Sequence, residues 1–261
     1  MKYIFSSMFF YEYSTTMIAN AAKLAEYDGV EFWLETPHFW IDRKLEKIEC
    51  FGDMYLAIHA PVLDLNPASV NEKVRELTLI ENMYAVDLAR KLSASPVTIH
   101  AGKRTANREP IWADYLALHD FLRVLSRYAK IKGVIISLEN SEPKLNYLCK
   151  DVDELEEFLS TYEISFTFDI KHALQRGNAT EFVERLFDKI VNVHVSYYDK
   201  KGRHIEPSKG KEVAKILRIL SDFGYNGVIT IELDDLGFGN IDYNHKIKIL
   251  KREIEFVKSF F

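Results

Sequence analysis

Residues 165–173 read Ser-Phe-Thr-Phe-Asp-Ile-Lys-His-Ala, an apolar and β-branched run that ends in a carboxylate, Asp169, followed three residues later by an imidazole, His172. Such a run is typical of a buried strand, and here its carboxyl end carries two side chains that can bind a metal ion. A single polar residue at the end of one strand is usually a satisfied core or loop residue. The stretch gains weight because the same pattern recurs along the chain.

Five further strand-like runs end in a histidine or a glutamate. The residues at their carboxyl ends are His59, His100, Glu139, His194 and Glu232. Independent core positions would mix Ser, Thr, Asn and apolar residues at these ends, whereas a shared divalent-cation site needs imidazole and carboxylate groups that converge on one point. We therefore predict that the six strand ends contribute to one metal-binding region.

Strand and helix signals alternate along the whole chain. Turns such as Asp28-Gly29 and Asn226-Gly227 precede strands. Eight strand signals alternate with eight helix signals, which favours an all-parallel sheet covered by helices. Eight units suggest a (β/α)8 TIM barrel of the α/β class, with functional groups at the carboxyl ends of the strands. Periodicity also allows an open doubly wound sheet, but no Gly-rich phosphate loop follows the first strand.

Several bounds follow from capping residues and apolar spacing. We predict a short helix at 44–50 and a long amphipathic helix from about Ser69 to Leu92, which begins with a capping box of Ser69 and Glu72. Residues 196–204, after the seventh strand, are predicted to form a long polar loop. The apolar positions of the long helix are expected to face the core: Val70, Val74, Leu77, Ile80, Tyr84, Leu88, Leu92.

The composition is that of a globular chain. With 261 residues, 48% of them hydrophobic, the sequence can bury a large core, so we predict a single domain over residues 1–261. The formal net charge of −5 argues against a broadly basic surface that coats nucleic acid. Cys50 and Cys149 form no metal-binding spacing and are too few for a disulfide framework, so a cytoplasmic location is expected. No apolar run is long enough to cross a bilayer.

The residues at the strand ends define the chemistry that is possible. Glu139, Asp169, His194 and Glu232 could hold one cation with positions left for substrate oxygens. A metal ion there would bind the oxygens of a sugar and acidify an adjacent C–H, so that one carboxylate could remove the proton and the other return it. The alternative is hydrolysis of a phosphoryl group by clustered cations. The extra imidazoles that further ions would need are His59, His100, His172 and His204.

The strand-end series resembles that of the xylose isomerase-like TIM barrel superfamily. This superfamily includes sugar isomerases and epimerases and the endonuclease IV-type AP endonucleases. The resemblance spans all eight units, and it implies a closed barrel whose strand ends bind divalent metal ions. Its motifs here are His59-Ala-Pro61, Ile99-His-Ala-Gly102, Glu139-Asn140, Asp169-Ile-Lys-His172, His194, His204 and Glu232.

The two branches of the superfamily imply different metal sites. The nuclease pattern implies three ions, and Glu139 would bridge the first two. In the sugar isomerases the resemblance implies the second site alone, with Glu139 and Glu232 as both ligands and acid/base pair. The ligand sets that the nuclease pattern implies are, for the first ion, His59, His100 and Glu139; for the second, Glu139, Asp169, His194 and Glu232; and for the third, His172 and His204.

The chain departs from both patterns. Gly202 stands two residues before His204, where the nucleases have an Asp, so the third site lacks its carboxylate unless Asp199 supplies one. Val62 stands near the position of the aromatic residue that nucleases wedge into DNA. Leu145 stands six residues after Glu139, where the isomerase pattern has an acidic residue. The nuclease reading is therefore the less favoured of the two.

We expect a divalent-metal-dependent enzyme that isomerises or epimerises a small sugar or sugar phosphate, with one to three zinc or manganese ions. Glu139 and Glu232 would be catalytic and His172 would orient the substrate, while further substrate contacts are predicted at Glu35, Lys171 and Arg203. The runner-up is an AP endonuclease-type phosphodiesterase that acts on DNA. A third possibility is a barrel that binds a metal or another ligand without turnover. The oligomeric state is left open.

Overall fold

The computed structural model describes all 261 residues, and eight parallel strands form a closed barrel in it. The barrel strands follow one another in the order β1-β10-β7-β6-β5-β4-β3-β2, and β8 and β9 form a separate antiparallel pair. The predicted (β/α)8 class is therefore confirmed. In chain order the strands are β1 (Lys2–Ser6), β2 (Gly29–Trp33), β3 (Tyr55–His59), β4 (Val97–His100), β5 (Ile136–Glu139), β6 (Ser165–Asp169), β7 (Ile190–Val195), β8 (Tyr197–Tyr198), β9 (His204–Ile205) and β10 (Val228–Ile231).

Helices connect the successive barrel strands. None of them is long and apolar enough to span a membrane. Short 3-10 turns occur as well, among them Ser7–Phe10, Leu45–Lys47 and Glu49–Phe51. The α-helices are α1 (Thr15–Leu24), α2 (Pro37–Trp40), α3 (Glu72–Leu92), α4 (Trp112–Lys132), α5 (Val152–Tyr162), α6 (Ile170–Arg176), α7 (Ala179–Leu186), α8 (Lys211–Asp222) and α9 (Tyr243–Lys258).

The chain forms two compact units. The first consists of residues 1–56 and 193–261, and the second of residues 57–192. In the first unit β1 pairs with both β2 and β10, so that Ile4 lies opposite Gly29 and Thr230. In the second unit β4 pairs with β3 and β5, and β5 pairs with β6. Each unit thus contains parallel strands of its own. That the chain forms a single domain stays a prediction.

Aromatic side chains fill the core of each unit. In the first, the ring of Phe5 lies 5.6 Å from that of Phe10 and 5.2 Å from that of Tyr27. In the second, Phe166 and Phe168 from β6 both lie within 6.0 Å of the Phe182 ring on α7. Burial of such rings stabilises a fold by several kcal/mol each relative to truncation, about 3–5 kcal/mol. This packing fixes the strands whose carboxyl ends carry the polar residues.

The long helix α3 begins later than predicted, at Glu72. Asn71 caps it, because the Asn71 side chain accepts a hydrogen bond from the Lys73 amide at 3.1 Å, so the predicted capping box of Ser69 and Glu72 is wrong. The predicted buried face is wrong in part, since Leu77 and Ile80 are 50% and 61% exposed. Of the predicted core positions, Leu88 is buried, and the other buried positions are Thr, Asn, Ala and Val residues. The buried positions of α3 are Thr78, Asn82, Ala85, Val86, Leu88 and Ala89.

Residues 44–50 form two 3-10 turns rather than the predicted helix. The Lys47 carbonyl accepts hydrogen bonds from the Thr15 hydroxyl and from the Cys50 thiol. A carbonyl engaged by side chains is less available to continue a helical ladder. The predicted polar loop at 196–204 contains the β8–β9 hairpin, whose turn is closed by the Asp199 amide bonded to the Arg203 carbonyl at 3.1 Å.

Candidate active site

Two histidines and a glutamate come together at the ends of β3, β4 and β5. The Nε2 atoms of His59 and His100 lie 3.1 Å apart, and Glu139 Oε2 lies 2.9 Å from His100 Nε2 and 3.8 Å from His59 Nε2. Two ligands that each lie about 2.1 Å from one ion are themselves roughly 3 Å apart. The spacing therefore suits a metal ion, as predicted for these three side chains.

Hydrogen bonds to main-chain carbonyls fix the tautomers of two imidazoles. A carbonyl only accepts, so Nδ1 of His59, 2.9 Å from the Ala60 oxygen, carries the hydrogen and leaves Nε2 as the ligand atom. His172 Nδ1 likewise donates to the Asn140 carbonyl at 2.9 Å. The same atom lies 3.5 Å from Glu139 and 3.6 Å from Asp169. The His172 nitrogen that carries the hydrogen therefore lies beside the two acidic side chains. This position suits the predicted role of orienting a substrate.

Asp169 is held by its neighbours at the end of β6. Its Oδ1 accepts a hydrogen bond from the His172 amide at 2.7 Å and so caps α6, a helix that the sequence did not predict. Asn140 contacts its main chain on both sides. The carboxylate is fully buried. Oδ1 is thus engaged as a helix cap, and Oδ2 lies on the side of His172 Nδ1, at 3.6 Å.

A second acidic residue follows Glu139 by three positions. The Glu142 carboxylate contacts Lys144 and lies 3.7 Å from the ammonium of Lys171, which is only 1% exposed. Burial favours the neutral acid, but the hydrogen bond from Lys144 and the positive charges of His172 and Lys171 outweigh it and lower the pKa of Glu142. Lys171 is therefore partnered by an acid that was not predicted, and its contact with substrate stays a prediction.

His194 lies between two carboxylates in the first unit. Its Nδ1 is 3.3 Å from Glu232 Oε2, and its Nε2 is 2.7 Å from Glu31 Oε2. His194 and Glu31 are both fully buried, and Glu232 is 4% exposed. Sequence reasoning missed Glu31, although the signal was there: a single charge inside the apolar strand β2. Both nitrogens of His194 thus face acidic oxygens.

In the β8–β9 hairpin after β7, Arg203 and Asp199 form an ion pair. Arg203 Nε donates to Asp199 at 2.7 Å, and Arg203 Nη1 donates to the Leu236 carbonyl at 2.7 Å. The hydrogen bond from Arg203 lowers the pKa of Asp199 to about 2. His204 Nδ1 donates to the Glu232 carbonyl at 3.0 Å. Neither His204 nor Asp199 joins a group of three or more donors, so a third ion stays a prediction.

The burial and the donor types of the strand-end acids indicate whether they fit a cation. Glu139, Asp169 and Glu232 are 2%, 0% and 4% exposed, and Glu35, at the end of the β2 segment, is 5% exposed. Burial of a carboxylate costs several kcal/mol unless a cation or several hydrogen bonds compensate it. The donor types, imidazole and carboxylate, are those that bind zinc and manganese. A buried cluster of His, Asp and Glu in this protein could therefore hold a metal ion.

Known proteins resemble this chain over nearly its whole length. An uncharacterized protein of Methanocaldococcus jannaschii is 31% identical over 269 residues, which cover 99% of each chain. The crystal structure of a D-tagatose 3-epimerase-like protein is 29% identical, with a TM-score of 0.74 over 99% of both chains. D-psicose 3-epimerase with D-tagatose from Clostridium cellulolyticum H10 is 17% identical, with a TM-score of 0.78 over 100% of this chain and 98% of that one, which shows a shared fold.

The family match agrees with the closed barrel of eight parallel strands. The sequence model described as xylose isomerase-like TIM barrel matches residues 18–260, which is most of the chain. The resemblance predicted from the strand-end motifs is thereby confirmed. This protein belongs to the xylose isomerase-like TIM barrel family.

Proposed function

We propose that this protein is a divalent-metal-dependent epimerase or isomerase of a small sugar or sugar phosphate. One ion, zinc or manganese, would be held by Glu139, Asp169, His194 and Glu232. The observation that carries the proposal is the burial of these acids and of His194 at the strand ends of each unit, because a buried carboxylate needs a cation or several hydrogen bonds to compensate it. The similarity to a D-tagatose 3-epimerase-like protein over 99% of both chains supports the reaction class.

The two glutamates supply the proton transfer in this proposal. A bound divalent cation would bind the substrate's oxygens and acidify the C–H next to its carbonyl. Glu139 or Glu232 then takes the proton from that carbon, and the other glutamate, protonated at the start, gives a proton to the opposite face of the same carbon. The carbon skeleton and the oxidation state do not change. His172 donates through Nδ1–H to the Asn140 carbonyl and lies beside Glu139, where it would orient the substrate.

Burial of the acids aids this chemistry. Charges act more strongly on a reacting group where water is excluded, because the effective dielectric constant is lower there. The side chain of His100 is 33% exposed, whereas that of Glu139 is 3% exposed. The substrate would therefore approach past His100. Lys171, Glu35 and Arg203 are proposed as further contacts, with Arg203 already bonded to Asp199.

Isotope exchange tests the proposal without knowledge of the substrate's stereochemistry. Purified protein loaded with Mn²⁺ or Zn²⁺ is incubated in D₂O with D-tagatose, with D-psicose and with ketose phosphates, and NMR follows the loss of C–H signals. We expect exchange that stops on chelation and falls by about 10²-fold or more in both Glu139→Gln and Glu232→Gln.

The matched control is Glu109→Gln, because Glu109 is an exposed acid that pairs with Lys150 at 3.2 Å and is not a candidate ligand. Exchange in this variant is expected to equal that of the unmodified chain. Exchange that survives both chelation and the two glutamate substitutions would refute the proposal.

One observation favours a second candidate, a phosphodiesterase of the AP endonuclease type. The group of His59, His100 and Glu139 has the donors that a second metal ion requires. Incubation with a DNA duplex that contains an abasic site decides between the two: incision that fails in Glu139→Gln would favour the nuclease. A chain that binds neither zinc nor manganese, and that turns over neither substrate, would instead be a non-catalytic binding barrel.

A further inference from the structure

We propose that Glu31 is a positioning residue that orients His194 so that Nδ1 of the imidazole faces the metal ion. The inference rests on the proposed function, because it assumes that His194 is a ligand. Glu31 itself would not touch the ion or the substrate. It would act through the imidazole alone.

The two ring nitrogens of His194 have different neighbours. Nδ1 lies 3.3 Å from Glu232, a proposed ligand, while Nε2 lies 2.7 Å from Glu31 Oε2. A neutral imidazole has one N–H donor and one lone pair. If Nε2–H is directed at Glu31, the lone pair of Nδ1 is left on the side of Glu232, where an ion would bind.

The Glu31 contact is close. Its oxygen lies 2.7 Å from Nε2, which is within hydrogen-bond distance. Since both side chains are fully buried, no solvent competes for this contact.

The fold alone does not account for Glu31. All five residues of β2 are buried, and Glu31 is the one charged residue among them. An apolar residue of similar size would usually be as stable or more stable at such a position, because a carboxylate must be desolvated there.

Another fully buried glutamate, Glu253, shows what a structural role looks like. The Ser208 amide and hydroxyl each donate to it at 2.9 Å, and Arg252 Nε donates at 2.8 Å. These bonds tie α9 to the turn Pro207–Lys209. Glu31 differs because its contact is with a proposed metal ligand.

A carboxylate behind a metal-bound imidazole has a known physical effect. It fixes the tautomer and the ring orientation and makes the imidazole a stronger donor, and loss of such a partner typically costs 10–100-fold in metal affinity. The effect should be seen in metal binding itself, with no substrate present.

The experiment measures Zn²⁺ affinity of the full-length chain by competition with a chromophoric chelator. We expect Glu31→Gln to bind Zn²⁺ about tenfold or more weakly than the unmodified protein, and Glu253→Gln, the matched buried control, to bind within about twofold of it. ¹⁵N-histidine NMR of the zinc-loaded unmodified protein is expected to show His194 with its hydrogen on Nε2. Thermal unfolding of each metal-free variant reports any loss of fold.

The outcomes separate this inference from the proposed function. Zn²⁺ affinity in Glu31→Gln equal to that of the unmodified chain, or a hydrogen on Nδ1 of His194, would overturn the role of Glu31 and leave the metal site standing. An unmodified chain that binds neither Zn²⁺ nor Mn²⁺ would overturn both. If Glu31→Gln does not fold, Glu31→Asp replaces it, because the shorter acid keeps the charge but not the reach; unchanged affinity in that variant would also overturn the inference.

Discussion

The side-chain amide of Asn140 forms two hydrogen bonds with the main chain of Asp169. Asn140 Oδ1 accepts from the Asp169 amide at 2.7 Å, and Asn140 Nδ2 donates to the Asp169 carbonyl at 2.9 Å. The pair joins the ends of β5 and β6, where Glu139 and Asp169 lie. It thereby sets the spacing of two proposed ligands before any ion binds.

Asn140→Ala is expected to weaken this arrangement. The substitution leaves a buried amide and a buried carbonyl of Asp169 without Asn140, which costs about 1–3 kcal/mol in the free energy of unfolding, and Zn²⁺ affinity should fall about tenfold. Asn146→Ala is the control, because Asn146 bonds the Arg104 carbonyl at 2.7 Å in a loop away from the proposed ligands. Chemical denaturation and zinc competition measure the two effects. Equal zinc affinities in the two variants would contradict the prediction.

His100→Ala is expected to leave the zinc content of the protein at about one ion per chain. His100 belongs only to the group with His59 and Glu139, which holds no ion in the proposed epimerase, so a loss of one ion per chain would favour the nuclease instead. Exchange of substrate C–H should stay within about threefold, because Glu139 is retained. Elemental analysis of dialysed protein gives the count. His119→Ala, which removes a histidine that bonds Tyr162 at 2.8 Å, should leave the count unchanged.

The ion pair in the β8–β9 hairpin should survive moderate acid. The folded pKa of Asp199, about 2, is below its ordinary value of 3.8, so the pair is fully favourable above the unfolded pKa and is lost as the pH falls through about 2. NMR of the Asp199 carboxyl carbon should show a midpoint near 2, which Arg203→Ala shifts toward the ordinary value. Lys201→Ala should not shift it. A midpoint near 3.8 in the unmodified chain would show that the pair does not form in solution.

Gly29→Ala should destabilise the barrel strongly. A Cβ atom at Gly29 would lie 1.7 Å from the Tyr55 carbonyl oxygen, so main chain would have to move where β2 begins. We expect a loss of about 3 kcal/mol or more in the free energy of unfolding. Gly133→Ala is the comparison, since its Cβ meets nothing within 4 Å but its φ is +67°, and it should cost about 1 kcal/mol. Similar losses in both variants would show that the close approach is relieved without cost.

Sequence periodicity predicted the barrel well because buried parallel strands are short apolar runs with a fixed polar end. Asp169 and Glu139 stand at strand ends for that reason, and both are buried in the structure. The predictions failed where side chains compete with the main chain. No α-helix forms around Lys47, because its carbonyl accepts hydrogen bonds from the Thr15 hydroxyl and the Cys50 thiol. Thr15 is far from Lys47 along the chain, so the spacing of residues does not reveal this contact.

The candidate site was predictable only in part. A strand-end search finds His59 and Glu139, but Glu31 stands in the middle of β2, where its apolar neighbours mask the one charge. Glu142 was missed because its partner, Lys171, is 29 residues away along the chain (171 − 142) and meets it only through folding. The pairing of buried charges is a property of three-dimensional neighbours, so spacing along the chain does not report it.

Asp169 caps a helix through one carboxylate oxygen and is also a proposed metal ligand. Since Oδ1 caps α6 through the His172 amide, removal of this side chain by alanine would fray the helix as well as delete a donor. Alanine scanning would therefore overstate the catalytic weight of this position. Asparagine keeps an oxygen for the cap and removes the charge, so the difference between the two substitutions separates architecture from chemistry at a single residue.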